Sequence, residues 1–281
     1  MDISKKQPLT RAWFGSVMVL AFTLLSPMVF ADMDQGRKYH KAGQFKEAFA
    51  EFTLAAEQGD YMAQFNLGYM LSEGGGVPQD HKKAVYWYTL AAEQGHYMAR
   101  LALGHMYSNG EGVSQDHKKA VYWYTLVAEQ GISSARTILG AIYSNGEAVP
   151  QDYKKAVYWL TLAAEQGDSR AQGRLGLMYS NGEGVPQDYK KAVYWYTLAA
   201  EQGHPIAQYL LGLMYDEGEG VPQDYKKAVY WYTLAAEQGD PSAQVKLGSK
   251  YFTGVGIEKN LELAYMWGNL AASNGEDSAL R

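Results

Sequence analysis

Between residues 60 and 95 the apolar positions change rhythm twice. Ala63, Leu67, Met70 and Leu71 recur at spacings of three and four, the pattern of a helix with one buried stripe. Gly74-Gly75-Gly76 ends that stripe. Val77-Pro78 follows, and the proline ring disfavours helical backbone at the residue before it. A second stripe then runs through Ala84, Trp87, Tyr88, Ala91 and Ala92. Asp80 stands where an N-cap side chain would accept from the free N–H groups of the next helix. Gly95 stands where a left-handed residue would close it. The segment therefore predicts a helix–loop–helix hairpin, with a first helix from Met62 to Leu71 and a second from about His81 to Glu93. Gly68 falls inside the first helix, where glycine costs about 1 kcal/mol relative to alanine. The expected compensation is that a missing Cβ lets a neighbouring helix come close.

The whole pattern returns every 36 residues. Leu-Gly pairs begin at Leu67, Leu103, Leu139, Leu175, Leu211 and Leu247, and tryptophan follows at Trp87, Trp123, Trp159, Trp195, Trp231 and Trp267. A period of this length marks a solenoid, because one hairpin cannot bury both of its flanks alone. The chain divides into a shorter hairpin at 32–59, six units (60–95, 96–131, 132–167, 168–203, 204–239, 240–275) and a stub at 276–281. The last unit departs from its siblings. It has Phe252, Glu258 in place of proline, Asn260 in place of the capping aspartate, and Leu261-Glu262-Leu263 in place of a lysine pair. Asp277-Ser278-Ala279 matches Pro241-Ser242-Ala243, so the stub is expected to begin a further first helix. The final stacking face is then incompletely covered and is expected to serve as a partner or homodimer contact.

Residues 1–31 read differently. Lys5, Lys6 and Arg11 precede an uncharged apolar stretch at 12–25, then Ser26-Pro27 and Val29-Phe30-Ala31. This is the layout of a cleavable secretory signal, cut after Ala31. Its apolar part is short for a membrane span, which needs about 20 residues, and the alternative is an uncleaved anchor. No cysteine follows it to carry lipid. Cleavage changes the net charge from −5 to 22 − 29 = −7 by removing Lys5, Lys6, Arg11 and Asp2. The expected location is the bacterial periplasm or the exterior, with no stable membrane insertion after cleavage. A weakly acidic chain with mixed signs is a poor match for nucleic acid.

Candidate chemistry is sparse. The absence of cysteine removes disulfides, thiolate metal sites and Cys nucleophiles. His40, His81, His96, His105, His117 and His204 have no metal-ligand spacing, and the loop EGGGVPQD has no phosphate-binding lysine. The expectation is no enzyme, no catalytic residue, no metal and no cofactor. The lysine pairs that open the second helices, such as Lys82-Lys83 and Lys190-Lys191, read as a solvated face. Tyr86, Tyr122, Tyr158, Tyr194 and Tyr230 each precede a tryptophan. They read first as packing between adjacent second helices with their hydroxyls in water, and otherwise as a glycan-binding ladder.

Residues 168–203 carry Ala171, Leu175, Gly176, Tyr179, Gly182, Gly184, Val185, Asp188, Lys191, Ala192, Trp195, Tyr196, Ala199, Ala200, Gln202 and Gly203. This set resembles the Sel-1-like repeat, a relative of the tetratricopeptide repeat, and the resemblance recurs over residues 60–275. Residues 32–59, with Gly36, Tyr39, Gly43, Phe45, Ala48 and Phe52, look more like an ordinary tetratricopeptide hairpin. The resemblance implies an all-α, right-handed solenoid that binds other proteins. Some secreted bacterial members bind penicillin-like compounds, but these carry paired cysteines in each repeat. A cell-wall or β-lactam binder or hydrolase is thus the alternative function, and a glycan-binding envelope protein is another.

By the same resemblance the first helix of each hairpin lines a concave groove. The columns that vary between units there are Met62, Met98, Ser134, Arg170, Ile206 and Ser242; Phe65, Leu101, Thr137, Gly173, Tyr209 and Val245; and Tyr69, His105, Ala141, Leu177, Leu213 and Ser249. The candidate partner-binding residues are Met62, Phe65, Tyr69, Met98, Leu101, His105, Arg170, Arg174, Ile206, Tyr209 and Leu213. They imply a protein or peptide partner with two apolar anchors around a polar middle.

Overall fold

The computed structural model describes residues 33–279 apart from residue 147. The signal expected at 1–31 lies outside the described residues, as do residues 280–281. The described residues form helices throughout, without a strand. The short first hairpin is α1 (Met33–Lys41) and α2 (Phe45–Glu57). The six units follow as α3 (Tyr61–Glu73) and α4 (His81–Glu93), α5 (Tyr97–Asn109) and α6 (His117–Glu129), and α7 (Ser133–Asn145) and α8 (Tyr153–Ala164). Then come α9 (Ser169–Asn181) and α10 (Tyr189–Glu201), α11 (Pro205–Glu217) and α12 (Tyr225–Glu237), and α13 (Pro241–Thr253) and α14 (Leu261–Ala279). Each helix packs on the helices before and after it in the chain, which is a solenoid of consecutive helix–loop–helix units.

The caps follow the sequence. Asp80, Asp116, Asp152, Asp188 and Asp224 each accept from the backbone N–H three residues on, at 3.0 Å. The C-cap Gly74 adopts φ 72° and closes α3 with a hydrogen bond from its N–H to the Met70 carbonyl. That bond lets α3 reach Glu73 rather than stop at Leu71. The second helix keeps the expected bounds.

Gly68 has the expected role. A Cβ there would lie 2.7 Å from the Tyr88 ring, and one on Gly104 or Gly176 would lie 2.6 Å from Tyr124 or Tyr196. Each aromatic knob thus seats against bare backbone, and packing density offsets the intrinsic helix penalty. Alanines at Ala63, Ala84, Ala91 and Ala92 are fully buried around it.

A second device, carried by glutamine, joins successive hairpins. Gln64 is buried; its amide donates to the Ala56 carbonyl at 3.2 Å and its oxygen accepts from Gln94 at 2.8 Å. Gln172 repeats this with Ala164 and Gln202. In two units arginine substitutes: Arg100 reaches the Ala92 carbonyl and Arg136 the Ala128 carbonyl through Nε. These bonds satisfy carbonyls at the ends of second helices that would otherwise be buried without partners.

The C-terminal end departs from the expectation. Residues 276–279 do not begin a new first helix; they prolong α14. The column that supplies Asp60, Asp168 or Asp240 as an N-cap supplies Glu276, whose longer side chain is a poorer cap. Gly275 lacks the left-handed backbone that Gly95 and Gly239 adopt, so nothing interrupts the helix. The knob column also ends, with Gly268 replacing tyrosine. Phe252, Leu261 and Tyr265 are left exposed around a groove of about 630 Å³ between α13 and α14.

Candidate functional site

The first helices place a run of large apolar side chains on one face at the N-terminal end. Met62, Phe65 and Tyr69 project from one side of α3, because positions three and four apart share a helix face. Met98 projects from the same side of α5. Together with α1 they enclose an open cavity of about 530 Å³. A second cavity of about 400 Å³ adjoins it, shares Phe65, Tyr69 and Met98, and adds Leu101 and His105. Six of the residues singled out from sequence therefore meet in one continuous groove. Met62, Tyr69, Met98 and His105 are exposed, whereas Phe65 and Leu101 are half-buried.

The other five do not join it. Arg170 pairs with Asp168 at 3.6 Å, and Arg170 and Arg174 lend positive charge to the surroundings of His204. Ile206 is exposed and stands apart from the groove. Tyr209 lies against Tyr232 with ring centroids 6.0 Å apart, and Leu213 packs on the core formed by Ala228, Tyr232 and Leu247. These two residues serve the α11–α12–α13 junction instead of an open anchor site. Thr137, in the expected polar middle, is buried, with its hydroxyl donating to the Ser133 carbonyl at 3.1 Å.

Sequence reasoning did not include the wall supplied by α1. Arg37, His40 and Lys41 line the first cavity. Their signal is their i, i+3, i+4 spacing, which sets them on one helix face. His96 also lines it, with its ring 4.5 Å from Phe65 and 5.6 Å from Tyr61 by centroid. At the far end the groove is acidic, with Glu73 and Glu111; Glu111 accepts from Asn109 at 2.8 Å.

His96 has a structural task as well, since its Nδ1 caps α5 by accepting from the Ala99 N–H at 3.2 Å. Burial holds its pKa below the ordinary histidine value. His204 caps α11 in the same way, and burial lowers it too, with help from Arg170 and Arg174. A lowered folded-state pKa means that the unfolded chain takes up protons first as pH falls. Stability from these caps is therefore present above the unfolded value of about 6.5 and lost below it. The melting temperature should fall by a few degrees between pH 7.5 and pH 5 more steeply in the natural chain than in the double variant His96→Asp, His204→Asp. That variant carries the residue found at Asp60, Asp168 and Asp240. Parallel melting curves for the two proteins across that range would refute the assignment.

The tyrosine ladder faces outward. Tyr86, Tyr122, Tyr158, Tyr194 and Tyr230 are each more than half exposed and meet the tryptophan that follows edge-on, with centroids 4.9–5.1 Å apart. The lysine face is more ordered than a merely solvated one. The second lysine of a pair, such as Lys119 or Lys191, lies 5.0 or 5.1 Å from the centre of the Tyr107 or Tyr179 ring, within cation–π range. Among the described residues no cluster of three or more His, Cys, Asp or Glu side chains could hold a metal ion. Among them no helix is long and apolar enough to cross a membrane.

The repeats have known counterparts. The Sel1 repeat matches residues 62–96, 98–132, 133–168, 169–204, 205–240 and 241–276. A protective antigen of uropathogenic Escherichia coli strains displaying an SLR fold aligns with a TM-score of 0.78 and 37% identity, over 81% of this chain and 49% of its own. This chain therefore spans about half the length of that antigen. A Sel1 repeat protein from Oxalobacter formigenes aligns with a TM-score of 0.73 and 36% identity, over 86% of this chain and 96% of its own. No curated protein matches the chain.

Proposed function

Because the chain belongs to the Sel1 repeat family, we propose that it is a non-catalytic scaffold that holds a segment of a partner protein in the groove along its first helices. Sel1 repeat proteins are in general protein-interaction scaffolds. The observation that carries the reading is the clustering of the exposed Met62, Tyr69 and Met98 with the half-buried Phe65 and Leu101, which also touch the core, in two adjoining cavities along the first helices. An open apolar hollow with a polar rim is the general form of a site for anchor side chains. The fully buried stacking contacts are made by other columns, those of Leu67, Gly68, Tyr88 and Ala91. We place this activity in the periplasm or outside the cell, on the strength of residues 1–31; amino-terminal sequencing of the mature protein, expected to start at Asp32, tests that part.

Site-directed photocrosslinking tests the groove. A photoreactive residue at position 69 should give partner adducts in envelope extracts, and Phe65→Ser with Leu101→Ser should abolish them. The same probe at position 194, on the outer tyrosine ladder, should give none. Adducts at 194 that survive the groove substitutions would move the binding face to the outside and support the glycan or outer-face alternatives.

A further inference from the structure

The groove is electrically lopsided, and its polarity says what kind of segment fits it. Its α1 end carries Arg37, His40 and Lys41, while its other end carries Glu73 and Glu111. Lys41 and Glu73 form no ion pair among the described residues, and Arg37 pairs with the exposed Asp34 at 3.6 Å. Between the two ends the lining is mostly apolar, with Met62, Phe65, Tyr69 and Met98 beside Asn66, Ser72 and His96, and at the acidic end His105 lies 3.9 Å from Glu111. The basic wall is also tied to the apolar floor, since the Arg37 guanidinium approaches the Met62 sulfur at 3.4 Å.

We infer that the occupant is a linear protein segment in which an apolar anchor is flanked by an acidic residue on one side and a basic residue on the other. The acidic flank faces α1, and the basic flank faces Glu73 and Glu111. This inference rests on the groove reading above and adds charge order to it. Opposite charges at the two ends set the register and direction of the bound segment, and they exclude segments of reversed order through like-charge contacts. The cavity of about 530 Å³ supplies the anchor hollow, within the range of ordinary ligand pockets. Because both ends are solvent-exposed, the charge contribution should weaken with salt.

Selection from a displayed library of random linear peptides against the full chain tests this at low ionic strength. Enriched peptides should carry one apolar cluster with an acidic and a basic residue on opposite sides. Their binding should fall about tenfold on Arg37→Glu with Lys41→Glu, and a peptide with its acidic residue changed to lysine should recover on that variant. Glu73→Lys with Glu111→Lys should do the same for the basic flank. The four charged positions lie outside the packed core, and unchanged melting curves would show that each variant, Phe65→Ser included, is folded. Enriched peptides that need Phe65 but show no charge order, or that bind both charge variants equally, would overturn the inference and leave the groove reading standing. Enrichment that ignores Phe65→Ser, or no enrichment at all, would overturn the groove reading itself.

Discussion

Gly184→Ala is expected to destabilise the protein by about 3 kcal/mol, although it adds one methyl group in a surface loop. Two effects combine. Gly184 has φ 72°, where an L-residue pays roughly 1–2 kcal/mol. A Cβ there would also lie 2.5 Å from the Tyr153 carbonyl oxygen, at the start of the second helix of the preceding unit. Backbone cannot rotate aside as a side chain can, so the clash adds about 1–3 kcal/mol of overpacking. The loop glycine is thus where each hairpin rests on its predecessor. In a solenoid, loss of one such interface splits the cooperative unit. The third unit offers the reciprocal experiment, since it carries Ala148 where Gly76, Gly112, Gly184, Gly220 and Gly256 stand in the others. It also lacks a side-chain N-cap at Ile132. If the unit-three loop holds position 148 in the left-handed conformation that Gly184 adopts, Ala148→Gly should stabilise by about 1 kcal/mol, because relief of that strain (roughly 1–3 kcal/mol) would exceed the added entropy of the unfolded glycine (about 0.5–1 kcal/mol). Urea unfolding followed by tryptophan fluorescence would measure both. A loss under 1 kcal/mol for Gly184→Ala would mean that the junction yields, and a loss for Ala148→Gly would mean that unit three has its own loop geometry.

Where the repeat writes a message several times, the sequence alone was sufficient. Asp80 as a cap, Gly68 as a hole, and helix bounds near His81–Glu93 are set by local chemistry that each unit restates. Among the varying columns, Phe65 and Leu101 line the N-terminal cavities while also resting on the core. What stayed hidden is written once, or in a substituted form. The basic face of α1 belongs to a hairpin outside the 36-residue register, so no sibling units showed it as a wall. The buried Gln64 contact recurs, but arginine at 100 and 136 disguises the column. Both make the same bond to a helix-end carbonyl, which residue type alone does not reveal. Tyr209 and Leu213 resembled an anchor by size. Their burial depends on how α12 and α13 pack against them, a tertiary fact that spacing along one helix cannot supply. The end of α14 turned on the absence of two signals, a left-handed glycine and a short cap.

The largest unshared feature is an ion pair at the last junction. Asp216 replaces the serine found at Ser72, Ser108, Ser144 and Ser180, and Lys250 replaces the apolar residue found at Met70, Met106, Ile142, Met178 and Met214. The two side chains form a salt bridge while only 13% and 12% exposed. The Tyr232 hydroxyl donates to Asp216 at 3.3 Å, and burial together with that carboxylate pushes the phenol pKa up. The Lys250 ammonium also sits 4.8 Å from the centre of the Tyr225 ring. Lys250→Met restores the repeat residue but strands a largely buried carboxylate, and should cost about 3–5 kcal/mol. Asp216→Ser strands the ammonium instead and should also destabilise. The double variant returns the pair to the form seen one repeat earlier, where Ser180 stands in the column of Asp216 and Met214 in that of Lys250. It should lie within about 1 kcal/mol of the natural chain, because an apolar replacement of a buried pair is often neutral. The cycle would then give a coupling of at least about 3 kcal/mol, read from urea unfolding of the four proteins. Additive losses would mean that water reaches the pair and that the last junction is held by its apolar contacts alone.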